Sequence, residues 1–135
     1  MTQEADSARA ARVLIVDDQA CIAGAVACLL AEARAAEVRV AACGEQALSV
    51  AEQWRPELVL VDVQMPGMPP LALCQQLRRV AGLAEVPIYL FTGLLPDNVE
   101  LSPLLTVVQG VINKPPDPTE VFAVLDAVVS RRECP

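Results

Sequence analysis

Two apolar runs in this chain stop at aspartate, and that punctuation constrains the fold more than any other feature. Val13-Leu-Ile-Val16 runs straight into Asp17-Asp18, and Leu58-Val-Leu-Val61 into Asp62. Neither run alternates apolar with polar residues, so neither suits a strand with one wet face. Continuous short runs rich in Val, Ile and Leu belong to strands buried on both sides, as in parallel sheets. Three more runs behave alike: Val38 to Ala42, Ile88-Tyr-Leu-Phe91 behind Pro87, and Val107 to Ile112. With Arg12 opening the first, five strands are predicted.

Helical spacing fills the intervals. Ala20 to Ala36 carries Ile22, Val26, Leu29 and Leu30 on one side, and Gly44 to Gln53 carries Ala47, Leu48 and Ala51 before Pro56 breaks the pattern. Gln64 to Pro70 is a loop by its Pro, Gly and Met content, after which Leu71, Cys74, Leu77 and Val80 mark a third helix. The last helix opens at Asp117-Pro-Thr-Glu120, where Asp117 can cap, Pro118 fits the first helical position and Glu120 stands at the capping-box position. Val121, Val124, Leu125 and Val128 form its buried face. A further helix belongs between Leu94 and Thr106. Pro96 and Pro103 bracket it and leave only Asp97 to Ser102 free to wind, which predicts a short or irregular turn. Strands alternating with helices make this an α/β chain with a parallel sheet covered on both faces.

The 135 residues suit one domain, with 1–11 as a flexible N-terminal extension, 12–131 as the folded unit and 132–135 as a tail. No output domain is expected to follow. A composition 54% hydrophobic and 20% charged excludes a disordered chain. No apolar run approaches the ~18 residues that span a bilayer, and Met1 to Arg12 lacks a leader's apolar segment, so the reading is cytoplasmic with no membrane contact. A formal charge of −7 lacks the electrostatic footprint of a nucleic-acid binder. Histidine is absent, which removes the commonest general base and metal ligand together. The five cysteines, Cys21, Cys28, Cys43, Cys74 and Cys134, form no CxxC pair; they read as reduced thiols serving as small core residues, with Cys134 exposed on the tail. Trp54 reads as a half-buried packing residue at the end of the sheet opposite the acids.

Ligands of open α/β sheets sit at the carboxyl ends of the strands. Polar residues collect at those ends here: Asp17 and Asp18 after the first strand, Asp62 after the third, Thr92 after the fourth and Lys114 after the fifth. Three carboxylates side by side are costly without a cation, and oxygen ligands that leave room for water suit Mg²⁺. Any one of these acids alone could be a helix cap; five such positions together point to a site.

In Val13-Leu-Ile-Val-Asp-Asp18, Leu58-Val-Leu-Val-Asp62 with Met65-Pro66-Gly67, Phe91-Thr92 and Asn113-Lys114-Pro115, the chain resembles the receiver domains of two-component response regulators, over about residues 12–131. The resemblance implies a doubly wound, flavodoxin-like sheet in the order 2-1-3-4-5. It implies that Asp62 is the phosphoacceptor, taking its phosphoryl group from a sensor histidine kinase or a histidine phosphotransfer protein. It implies that Asp18, Asp62 and the backbone carbonyl of Gln64 ligate Mg²⁺ with Asp17 acting through water, that Lys114 pairs with the acyl phosphate and that Thr92 donates its hydroxyl to it. The implied product is a stand-alone regulator that catalyses only its own phosphorylation and dephosphorylation and signals to another protein.

Two positions depart from the family pattern. Val111 stands where an aromatic residue usually precedes the lysine by three positions, and Gly93 stands where alanine usually follows the threonine. Two rival readings compete with this one. A haloacid-dehalogenase-type phosphatase needs a second acid two residues after its nucleophile, and position 64 is Gln. A receiver-like scaffold that binds a partner without phosphorylation would have no need of the five-residue set, but the departures at Gly93 and Val111 keep that reading open.

Overall fold

The computed structural model describes residues 10–63, 67–80, 82–92, 103–113 and 117–131. Five parallel strands, β1 (Arg12–Val16), β2 (Glu37–Ala41), β3 (Leu58–Asp62), β4 (Ile88–Thr92) and β5 (Gly110–Asn113), form one sheet in the order β2-β1-β3-β4-β5. Four α-helices lie between and after them: α1 (Ala20–Arg34), α2 (Gly44–Trp54), α3 (Pro70–Arg79) and α4 (Pro118–Arg131). The register Val16↔Val61 between β1 and β3, and Asp62↔Phe91 between β3 and β4, sets the acid-bearing ends level with each other.

The central strands β1, β3 and β4 are largely apolar because alternate residues serve two cores, whereas the edge strand β2 carries Glu37 and Arg39 and is mostly exposed. Val13 and Ile15 of β1, Leu58 and Leu60 of β3, Phe91 and Ile112 face α1 and α4, where Ala23, Val26, Leu30, Val121, Leu125 and Val128 complete the layer. Leu14, Val16, Val59, Val61, Ile88 and Leu90 face the other way, onto Ala47 and Ala51 of α2 and Leu73, Cys74 and Leu77 of α3. Each fully buried Leu, Ile or Val contributes roughly 1.5–3 kcal/mol. Across the first layer Arg34 of α1 grips α4: its Nε donates to Asp126 Oδ1 at 2.8 Å, and its guanidinium lies 4.5 Å from the Phe122 ring centre.

Helix boundaries follow local chemistry. Ala35 adopts a left-handed conformation (φ 53°) and ends α1, with the Ala36 amide donating to the Leu30 carbonyl at 3.2 Å. Arg55 does the same after α2 (φ 56°), and Pro56 then forbids continuation. At the start of α4, Asp117 Oδ1 accepts the Thr119 amide at 2.9 Å and Pro118 takes the first helical position, as its sequence predicts.

Two expectations are corrected. The fifth strand begins at Gly110, not Val107; Val107 and Val108 lead up to it, and Gln109 turns its side chain to the Ile88 amide at 2.7 Å. The cysteines are mostly not core residues: Cys74 is buried, Cys43 is half-buried, and Cys21 and Cys28 are exposed on α1. The sequence does not show this because α1 is uncharged from Ala20 to Ala31, so that composition does not mark which side faces the sheet. The segment expected to hold a short helix, Asp97–Ser102, lies outside the described residues, as do Gly93 and Cys134; after Pro103 the chain makes a single 3-10 turn, Leu104–Thr106. No described helix is long and apolar enough to cross a membrane.

Candidate functional site

The carboxyl ends of β1, β3 and β4 converge on one cluster. β1 hands over to Asp17, whose amide donates to the Ala41 carbonyl at 2.9 Å and so extends the ladder with β2. Asp17 Oδ1 then accepts the Gln19 amide at 2.9 Å, turning the chain into α1. Asp18 is exposed at the rim of this turn. Asp62 is the last residue of β3 and Thr92 the last of β4, and the exposures of Asp17, Asp62 and Thr92 are 1%, 3% and 0%. One carboxylate oxygen from each of Asp17, Asp18 and Asp62 lies within 4.8 Å of the others.

Electrostatics decides what such a cluster is for. Two buried carboxylates beside a third repel one another and have lost hydration. A hard divalent cation offsets both penalties, and the donor set fits one: all oxygen, with Asp18 toward solvent where water can complete the shell. Among the described residues the structure brings the carboxylates of Asp17, Asp18 and Asp62 together, with Thr92 at the end of the neighbouring strand β4. Gln64 and Lys114 lie outside the described residues; Asn113, next to Lys114 in the chain, pairs in register with Thr92. Sequence reasoning passed over Gly44 and Met68, which meet beside the segment that leaves Asp62. No spacing in the sequence brings those two together.

One large pKa displacement falls on a core thiol. Burial pushes the Cys74 thiol from 9.0 up to about 11, against the opposing pull of the Arg78 charge. Cys74 belongs to the α2/α3 core and is unsuited to nucleophilic work.

Comparison with known proteins agrees with this geometry. Residues 13–126 match the response regulator receiver domain family. The chain is 32% identical over 122 residues to the DNA-binding response regulator MtrA of Mycobacterium tuberculosis, covering 90% of this chain and 52% of that protein. It is 28% identical over 122 residues to the DNA-binding dual master transcriptional regulator RpaA of Synechocystis, covering 90% and 50%. The chain thus spans about half the length of these curated relatives. Among solved structures, the chemotaxis response regulator CheY4 of Vibrio cholerae superposes with a TM-score of 0.79 at 29% identity, covering 89% of this chain and 99% of that one. The receiver domain of sensor histidine kinase PA1611 from Pseudomonas aeruginosa, described with a magnesium ion coordinated in its active site cleft, has the same fold (TM-score 0.80, 20% identity, 90% and 99% covered). Five parallel strands in the order 2-1-3-4-5, an acid cluster at their carboxyl ends and a family match over residues 13–126 lead to one conclusion: this chain belongs to the response regulator receiver domain family.

Proposed function

We propose that Asp62 accepts a phosphoryl group from a phosphohistidine on a sensor kinase or histidine phosphotransfer protein, in a Mg²⁺-dependent reaction. The observation that carries this reading is the carboxylate triad, with its oxygens within 4.8 Å of one another at the carboxyl edge of the sheet. An Asp62 oxygen attacks phosphorus, the P–N bond to the donor histidine breaks, and the imidazole leaves with the electron pair. Such a transfer asks the protein chiefly for alignment and charge neutralisation. Asp18, Asp62 and the carbonyl of Gln64 would hold Mg²⁺, with Asp17 acting through water. The bound ion supplies neutralisation of the phosphoryl charge. Lys114 would pair with the acyl phosphate and Thr92 would donate its hydroxyl to a phosphoryl oxygen. The protein is then no enzyme toward other molecules and catalyses only its own phosphorylation and dephosphorylation.

The test is acetyl phosphate with Mg²⁺, read by mass spectrometry. A lasting single adduct on the wild type, lost in a folded Asp62→Asn variant, supports the reading, because an amide is a poor nucleophile. Undiminished labelling of that variant moves the acceptor elsewhere. Turnover without an adduct would indicate a phosphatase, and no reaction a scaffold.

For output we propose signalling by protein–protein contact from a folded unit spanning 12–131, in the cytoplasm where a kinase draws on ATP. The fit to 99% of the Vibrio chemotaxis regulator and the net charge of −7 support it. The printed names of the curated relatives favour a second reading, a receiver that controls an attached DNA-binding output. An immunoblot of cell extract separates the two: a band near 14.4 kDa supports the first, one near twice that mass the second.

A further inference from the structure

A close small-residue contact outside the acid cluster lies between Gly44, the first residue of α2, and Met68. A Cβ at position 44 would stand 2.9 Å from Met68 Sδ, 3.0 Å from its Cβ and 3.3 Å from its Cε. The flexible sulfur end alone could move aside. The Met68 Cβ is fixed to its backbone, so at 3.0 Å the chain at position 68 must move as well. Gly44 is not there for its conformation: the positive-φ glycines among the described residues are Gly67 and Gly82. It is there because Met68 occupies the space of its side chain.

This contact lies against the packed layer that contains Val61, the residue before Asp62. Met68 stands six residues after Asp62 in the chain and packs half-buried against the α2/α3 core. On the other side, α2 is fastened to the neighbouring acid. Gln46 Oε1 accepts the Ala42 amide at 2.8 Å, and the Ala41 carbonyl next to it accepts the Asp17 amide at 2.9 Å. Met68 and Gly44 thus meet in the layer that holds Val61, the residue before Asp62, while Gln46 and Ala42 join the start of α2 to the strand end bearing Asp17. We propose that Gly44 is a positioning residue for the phosphoacceptor: by admitting Met68 against the start of α2, it sets the spacing between Asp62 and Asp17.

This rests on the phosphoacceptor reading above, and the experiment separates the two. Gly44→Ala, Met68→Ala and the double variant are compared for Mg²⁺ affinity, rate of labelling by acetyl phosphate, melting temperature and the NMR amide shifts of Asp62 and Val63. Without the contact, Gly44→Ala at a helix start would be neutral or raise the melting temperature, since alanine is the better helix former. The expectation is a loss of about 10-fold or more in labelling rate with weaker Mg²⁺ binding, since displacements near 1 Å can cost ~10²-fold. The double variant, with the obstructing side chain gone, recovers to the level of Met68→Ala. Wild-type labelling by Gly44→Ala, or a defect that persists in the double variant, overturns the proposal. Should the wild type itself take neither Mg²⁺ nor a phosphoryl group, the functional reading fails. The amide shifts then decide the positional claim: displaced in Gly44→Ala and restored in the double variant, or unmoved and the claim is wrong.

Discussion

Arg78 Nη2 donates to Gln109 Oε1 at 3.0 Å, and the same oxygen accepts the Ile88 amide at 2.7 Å. The guanidinium also reaches the carbonyls of Val107 at 3.0 Å, of Ala84 at 3.4 Å, and of Val86. One side chain at the end of α3 thus ties down both segments that lead into β4 and β5. Replacing it with methionine leaves these acceptors without their donor. The expected loss is about 2–3 kcal/mol in urea unfolding, and Arg78→Lys should recover less than half, because one ammonium cannot span the fork. Full stability in the methionine variant would show that water replaces the guanidinium.

The carboxylate triad should make Mg²⁺ a stabiliser. At a concentration 100-fold above its Kd the ion adds about 2.7 kcal/mol, read as a rise in melting temperature. Asp18→Asn should shrink that rise while itself raising the metal-free melting temperature, since one of three mutually repelling charges is gone. A melting temperature indifferent to millimolar Mg²⁺ in the wild type would count against the site.

Trp54 should be silent to the same titration. It ends α2, half-buried, with the Arg39 guanidinium 4.8 Å from its ring centre, and the helix begins at the acid-bearing end of the sheet. Its emission is expected to stay constant on adding Mg²⁺. A strong quench would place the indole within reach of the acids.

Cys74 sets an alkaline limit. Its folded thiol ionises near 11, while the unfolded thiol ionises near 9.0, so the unfolded state releases the proton first. The contribution is full below pH 9, falls between 9 and about 11 and levels off above, a total of roughly 2–3 kcal/mol. Cys74→Ala should flatten that part of the stability curve, although it lowers stability at neutral pH by leaving a small cavity. An unchanged slope between pH 9 and 11 would assign the alkaline loss to other groups.

The fold was legible where two signals coincided. β1 and β3 combine an unbroken apolar run with a terminal acid, and both start and stop where expected. α4 carries its own start signal in Asp117 and Pro118. Legibility failed where apolarity was the only guide. Val107 and Val108 look like strand, yet the strand starts only at Gly110, after Gln109 has met Ile88 through both its amide and its side chain. Cys21 and Cys28 read as core because nothing charged on α1 marks its wet side. Of the site, Asp17, Asp18, Asp62 and Thr92 were visible as strand-end residues. The Gly44–Met68 contact was not, since it depends on a distance across 24 residues of chain.

The two cores are completed at different moments of synthesis. Among the described residues, the layer beneath α2 and α3 draws its last buried partner from Leu104, whereas the layer beneath α1 stays open until Val121, Leu125 and Val128 arrive. A nascent chain that has already passed β4 still shows Ile15, Leu30, Leu60 and Phe91 to the surrounding water. Such half-clothed intermediates invite aggregation, and a ribosome paused before α4 would prolong their exposure. Arg34, waiting on α1 for Asp126 and Phe122, is positioned to fasten the final helix once it emerges.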